Sequence, residues 1–274
     1  MNDTLIHCLW HSKDSLVCMA PYAYEPMWVY FLTVVMIAAQ TATETYRYQI
    51  ISFLTLSAVM LSVFALWGEL SGVKYFLLLL LPAYFVAGAS LFYFLLPVRW
   101  LTRLPFAVIF GISVYLLMLT SNIYNVAAIR TIALLRAAHA VGLLFSLLST
   151  YFLANVLFSL HLPSYLVVLG IAVIVLPLYT VGLWSYELEE FVSKKVAKYA
   201  AIFTLVTCEV ALGLAFWPVV PTAGALAMAT IMYALLGLAQ FNFEEKLKPR
   251  TIFEHLGIAT FVFLIIIATT RWGG

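Results

Sequence analysis

The chain has 274 residues, of which 65% are hydrophobic and 9% are charged, and its formal net charge is +2. A soluble helix needs a polar side, and this composition leaves too few polar residues for one on each helix. The charge comes from 14 basic and 12 acidic side chains scattered along the chain, which excludes a nucleic-acid-binding surface. The composition predicts a polytopic membrane protein without a large soluble domain.

Residues 1–26 are predicted to be a short polar leader, and residues 27–274 a single transmembrane helical domain. The leader lacks the basic start and apolar run of a cleavable signal peptide, so the first span is expected to serve as the retained targeting signal. With His7 and His11, Cys8 and Cys18 could form a zinc site, but an incidental cluster fits the irregular spacing better. We therefore predict no metal site, and the sequence leaves any cofactor unidentified.

Apolar segments recur along the rest of the chain. A helix needs about 20 apolar residues to cross the hydrocarbon layer, so the sequence predicts an all-α bundle of about nine spans. The predicted spans are residues 27–44, 50–67, 74–97, 103–121, 133–160, 163–184, 196–217, 221–241 and 252–270. Any chemistry must then lie in helices or short loops.

The join between the fourth and fifth spans has two interpretations. Four polar residues predict a turn there: Thr120, Ser121, Asn122 and Asn125. Alternatively, residues 125–160 form one helix too long for the membrane, with its first turns along the surface.

Two prolines, Pro82 and Pro177, fall inside predicted spans. Each removes a backbone hydrogen bond and usually kinks its helix. The kinks serve either packing or a hinge, and packing is the commoner use because transmembrane helices carry proline routinely.

Glu209 is the strongest candidate for chemistry within a span. It follows Lys198 by roughly 16 Å of helix, which places it near the bilayer centre. An ionised carboxylate there costs at least about 2.5 kcal/mol, so Glu209 is expected to face the protein interior and to pair or stay protonated. It is then either a proton or cation site in a transport path or a neutral acid in an interhelical hydrogen bond.

One face of the fifth span supplies a candidate partner for Glu209. Residues at three- or four-residue steps share that face: Arg136, His139, Gly142, Ser146 and Ser149. The face must contact protein or water, and ordinary helix packing explains it as well as a polar path does. In the polar path, Ser146 or Ser149 contacts Glu209.

Basic residues of short loops stay on the cytoplasmic side of a membrane. The connections after even-numbered spans carry most of them: Lys74, Arg130, Arg136, Lys194, Lys195, Lys198, Lys246, Lys248 and Arg250. The connections after odd-numbered spans carry Arg47, Arg99 and Arg103. We therefore predict a cytoplasmic N-terminus, where Cys8 and Cys18 stay as thiols; another span count would reverse the leader and allow a disulfide.

The eighth span carries small residues that predict close helix packing: Ala223, Ala225, Ala227, Ala229 and Gly237. Besides the lipid bilayer, such a face could receive a second copy of the chain or a membrane partner.

The sequence lacks the Gly-x-Ser-x-Gly, His-Glu-x-x-His and Walker signatures, which favours a protein that is not an enzyme. An enzyme acting on lipid would need four groups to meet in one lipid-accessible cleft: Arg136, His139, Glu254 and His255.

The stretch NIYNVAAIRTIALLRAAH at residues 122–139, with Phe216-Trp217-Pro218 and Thr270-Arg271-Trp272, resembles an uncharacterised multi-pass membrane-protein family of small-genome candidate-phyla bacteria. The resemblance covers roughly the second half of the chain and implies a bacterial cytoplasmic membrane. That family has no assigned activity, so it implies no residue roles.

Together these patterns predict transport or a channel-like role for a small solute, ion or lipid. The predicted pathway residues are Glu209, Ser146, Ser149, His139 and Arg136. The alternatives are a structural or assembly subunit of a membrane complex and, after it, the lipid-modifying enzyme.

Overall fold

The computed structural model describes residues 49, 52–53, 55–57, 60, 73–96, 100–127, 134–189, 191–243 and 249–270. These residues include seven helices of defined bounds: α1 Val73–Leu95, α2 Trp100–Ala127, α3 Leu135–Ser159, α4 Ser164–Glu187, α5 Lys194–Ala215, α6 Pro221–Phe243 and α7 Pro249–Thr269. The described residues between 49 and 60 are helical too, and no strand occurs in any described segment.

Each of the seven helices contains a stretch that is long and apolar enough to cross a membrane, with a mean hydropathy between 1.5 and 2.6. This confirms the predicted all-helical membrane bundle, and the seven helices match the last seven predicted spans. The predicted span at 27–44 lies outside the described residues, and the one at 50–67 is described only at its helical positions. The leader, with Cys8 and Cys18, also lies outside them.

Local sequence explains where several helices begin and end. Pro221 and Pro249 are the first residues of α6 and α7, where the missing N–H of proline leaves no helical bond unmade. The Ser193 hydroxyl caps α5 by accepting a hydrogen bond from the Val196 amide at 3.1 Å. Leu188 ends α4 in the left-handed region, at φ 50°.

Helix α3 is the centre of the bundle, because it packs against α1, α2, α4 and α6. Helix α5 packs mainly against α4, and α7 packs mainly against α6. The apolar stretch of α7 is only 6% buried, which makes α7 the most peripheral of the described spans. Helices α3, α5 and α7 begin at one end of the bundle, with Arg136, Lys194 and Arg250 near their starts; we call it the basic end.

The predicted turn at residues 120–125 is wrong, because α2 continues through these positions to Ala127. The side chains of Thr120, Ser121 and Asn122 are buried inside the bundle. The Thr120 hydroxyl donates to its own helix, at the Leu116 carbonyl, and the Ser121 hydroxyl donates to the Leu78 carbonyl of α1. The alternative prediction, a single long helix over residues 125–160, is wrong as well. Tyr124, at the end of α2, donates to the Ala138 carbonyl of α3 at 2.8 Å, so the two helices are separate and packed together.

Pro82 of α1 and Pro177 of α4 each leave a backbone carbonyl that a neighbouring helix satisfies. Proline at position i removes the bond to the carbonyl at i−4, which is Val173 for Pro177. The Tyr84 hydroxyl of α1 donates to that carbonyl at 3.0 Å. For Pro82 the freed carbonyl is that of Leu78, which the Ser121 hydroxyl reaches at 3.4 Å. Both prolines therefore contribute to interhelical packing.

The small residues of α6 pack inside this chain. A methyl group at Gly224 would contact the Phe158 ring of α3, and one at Gly237 would overlap the His255 imidazole of α7. Ala225 and Ala227 are fully buried. The close packing predicted for this span is thus present between α6 and other helices of the same chain.

Candidate functional site

A small, mostly apolar cavity that a few polar side chains also line lies near the basic end, where five helices meet. It is lined by Leu81 of α1; Tyr124 of α2; His139, Gly142, Leu143 and Ser146 of α3; Val181, Gly182, Ser185 and Tyr186 of α4; and Leu236 of α6. The space open to the centre of a water molecule is ≈ 10 Å³. That is about the volume needed for one ordered water, so the cavity is too small for a larger solute unless helices move.

His139 is the titratable side chain of this cavity most suited to proton exchange near neutral pH. It is 9% exposed, and its Nε2 lies 2.9 Å from the Ser185 carbonyl oxygen. A carbonyl only accepts, so Nε2 carries the proton in both the neutral and the cationic imidazole. The centroid of the His139 ring lies 4.2 Å from that of Tyr186 and 5.8 Å from that of Tyr124, and both pairs of rings are tilted.

Ser146 lines the cavity with His139, whereas Ser149 does not. The Ser146 hydroxyl donates to the Gly142 carbonyl at 2.9 Å, so the hydrogen bond stays within α3 and the oxygen lone pairs can still accept. Ser149 is fully buried and donates to the Phe145 carbonyl, and its own carbonyl lies at the contact of α3 with α1, beside Gly88. The predicted face of the fifth span, now α3, therefore lies partly at the cavity, through His139 and Ser146, and partly at the packing contact with α1, through Ser149.

Glu209 does not face the interior, which contradicts the expectation from its depth. Its side chain is exposed on the outer face of α5. Helix α5 packs through Thr207 and Ala211, which are buried, and successive residues turn by about 100°, so Glu209 projects away from them. Ser146 and Ser149, buried in α3, are therefore not its partners in this chain.

The four groups considered for a lipid-modifying enzyme do not line one cleft. Of the four, only His139 lines the cavity, and Arg136 is exposed. His255 is buried against Tyr233, with the ring centroids 5.1 Å apart. Glu254 is exposed and pairs with Arg250 at 3.0 Å. The condition set for that activity is not met.

The sequence did not single out three polar residues of the cavity: Tyr124, Ser185 and Tyr186. Tyr124 fell within the predicted turn at residues 120–125, and the other two lie just beyond the predicted span at 163–184. Recognising that α2 and α4 end beside the start of α3 would have brought them together with His139.

No group of three or more metal-ligating side chains occurs among the residues described. The leader residues His7, Cys8, His11 and Cys18, considered for zinc, lie outside that part of the chain.

Comparison of the chain with protein-family models, curated proteins and solved structures finds no match. The resemblance noted for the second half of the sequence stays a prediction.

Proposed function

We propose that this membrane protein moves a proton or another small cation across the bilayer, with His139 as the group that takes up charge. The observation that carries the proposal is the position of His139, which is buried beside a cavity of one-water size and in contact with two tyrosine rings. Histidine is the side chain whose ordinary pKa lies closest to neutral pH, which suits reversible protonation. The cavity size favours a proton or a small ion over a larger solute or a lipid.

The helices around the cavity support a rearrangement that would open it. Leu81, which lines the cavity, precedes Pro82 on α1, and Val181 lies one turn after Pro177 on α4. A proline-broken turn lacks one helical hydrogen bond, so it bends at a lower cost than a regular turn. Bending of α1 or α4 at these points would widen the cavity beside His139.

Ion flux into liposomes tests the proposal. The full-length protein is reconstituted, a potassium diffusion potential is set with valinomycin, and proton entry is followed with a trapped pH dye; sodium flux is measured in parallel. We expect flux above that of empty liposomes, and a loss of at least tenfold with His139→Phe. His161→Gln is the matched control, because His161 is exposed in the turn after α3. No flux of either ion, or wild-type flux in His139→Phe, would refute the proposal.

A second candidate function, an assembly subunit of a membrane complex, is favoured by Glu209. A carboxyl group on a lipid-facing surface costs about 2.5 to 3.5 kcal/mol at mid-membrane, and a partner helix that hydrogen-bonds to it lowers that cost. Gly213 lies one turn further on the same face, and a methyl group added there would meet no atom within 4 Å, which leaves room for a close helix.

Co-purification from native membranes tests this second candidate. A protein of fixed stoichiometry should accompany the wild type and Glu209→Gln, which keeps a hydrogen-bonding group, and should be lost with Glu209→Leu. Glu254→Leu is the control, because Glu254 is exposed and already paired with Arg250. If no such protein accompanies the wild type, or if Glu209→Leu retains it, the assembly role is wrong.

We further propose that the basic end faces the cytoplasm of a bacterial cell and that the N-terminus lies on the same side. The support is the clustering of Arg136, Lys194, Lys195 and Arg250 at that end, since basic loops are retained inside. A cysteine introduced at Lys194 should react with a membrane-impermeant maleimide only after the cells are lysed. Labelling of intact cells would reverse the orientation.

A further inference from the structure

Arg103 is a buried cation at the end of the bundle opposite to His139. It lies in the first turn of α2, about 4.5 Å along the helix from Trp100, and only 7% of its surface is exposed. This depth corresponds to the membrane interface, where lipid phosphate groups are found.

The contacts of Arg103 with the described residues leave its charge unbalanced. Its Nη2 donates to the Leu96 carbonyl at 3.3 Å, and its guanidinium carbon lies 5.4 Å from the Tyr93 ring centroid. Its Nε is buried without a hydrogen-bond partner among the described residues. The ion pair formed within the described segments is the one between Arg250 and Glu254, at the other end. A buried charge without a counter-ion is strongly unfavourable, so this site is incomplete.

Two hydroxyl groups on α1 are incomplete in the same way, and one of them belongs to Tyr93, whose ring lies beside Arg103. Ser90 and Tyr93 are 1% and 0% exposed, and neither hydroxyl has a hydrogen-bond partner in the described part of the chain. They are three residues apart on α1, so they share one face of that helix. Phe106, whose ring centroid lies 5.7 Å from that of Tyr93, contributes an apolar wall.

We propose that Arg103, Tyr93 and Ser90 form a binding site for a phosphate group, carried by a lipid headgroup or free in solution. The site offers a cation and hydrogen-bond donors, and what it lacks is an anionic acceptor with several oxygens. The planar guanidinium matches phosphate oxygens in geometry and charge. The proposal is independent of ion movement through the His139 cavity.

Ligand-dependent thermal stability tests the site on the full-length protein in an uncharged maltoside detergent. One arm adds inorganic phosphate, with chloride at equal ionic strength as its reference. The other adds phosphatidylglycerol, with diacylglycerol, which lacks the phosphate, as its reference. We expect the wild-type Tm to rise in at least one arm. A rise with the lipid alone assigns the site to a headgroup, and a rise with inorganic phosphate assigns it to a free anion.

The variants distinguish this site from general attraction of anions. Arg103→Gln should weaken the apparent affinity about ten- to hundredfold, and Tyr93→Phe, which keeps the ring beside Arg103, about two- to tenfold. Arg136→Gln, an exposed arginine at the basic end, should respond as the wild type does. Absence of a wild-type rise in both arms overturns the proposal. An unchanged affinity in Arg103→Gln also overturns it. If Arg103→Gln does not fold, an unchanged affinity in Tyr93→Phe overturns it instead.

Discussion

The hydrogen bond from Tyr84 to the Val173 carbonyl should matter only because Pro177 is present. Pro177 cannot donate to that carbonyl, and Val173 lies on a face of α4 that is exposed to lipid, where water does not replace the lost bond. Hydrogen bonds between membrane helices contribute about 0.6 kcal/mol on average and up to about 1.7. At 3.0 Å, and with an otherwise unsatisfied acceptor, we expect Tyr84→Phe to lower the free energy of unfolding by about 1 kcal/mol.

A double-mutant cycle isolates this effect. Pro177→Ala restores a helical N–H for the Val173 carbonyl, so Tyr84→Phe should then cost less than about 0.3 kcal/mol. The free energies are measured by SDS-driven unfolding in mixed micelles, followed by tryptophan fluorescence. Thr180→Ala is the control, because its hydroxyl donates within α4, to Leu176, and its cost should be equal in both backgrounds. An equal cost of Tyr84→Phe in both backgrounds would show that the hydroxyl does not compensate for the proline.

Four further substitutions are measured in the same unfolding assay. Gly142→Ala should destabilise the protein by about 1–3 kcal/mol, because the added methyl would press on the Tyr124 hydroxyl. Gly213→Ala, with open space around it, should be neutral or stabilising by up to about 1 kcal/mol. Equal effects of the two substitutions would refute the close contact of α2 with α3. Ser193→Ala removes the cap of α5 and should cost about 1 kcal/mol, and an unchanged stability would mean that water replaces the cap. Leu188→Gly should stabilise by up to about 1 kcal/mol, since glycine adopts the left-handed conformation without strain, and a net loss would show that the Leu188 side chain contributes more through packing.

The membrane architecture could be predicted from the amino-acid sequence because it depends on a one-dimensional property. A span is a run of apolar residues of sufficient length, and charge or proline marks its end, so the last seven predicted spans agree with the seven helices. The prediction of a turn at Thr120–Asn125 was wrong because it considered the local sequence alone. Polar residues end a helix when they meet water, but Ser121 finds an acceptor on α1, which no local pattern reveals.

The positions of the site residues depended on how each helix is rotated about its axis. The depth of Glu209 followed from counting residues, whereas its outward direction followed from the packing of Thr207 and Ala211 against the bundle. His139 lay on a predicted polar face, but its cavity exists only because the ends of α2 and α4 bring Tyr124 and Ser185 to it. Sequence by itself thus determined which segments enter the membrane, since hydropathy and length suffice for that choice. Only the tertiary structure decided which side chains face one another, because helix rotation is set by contacts between residues far apart in the chain.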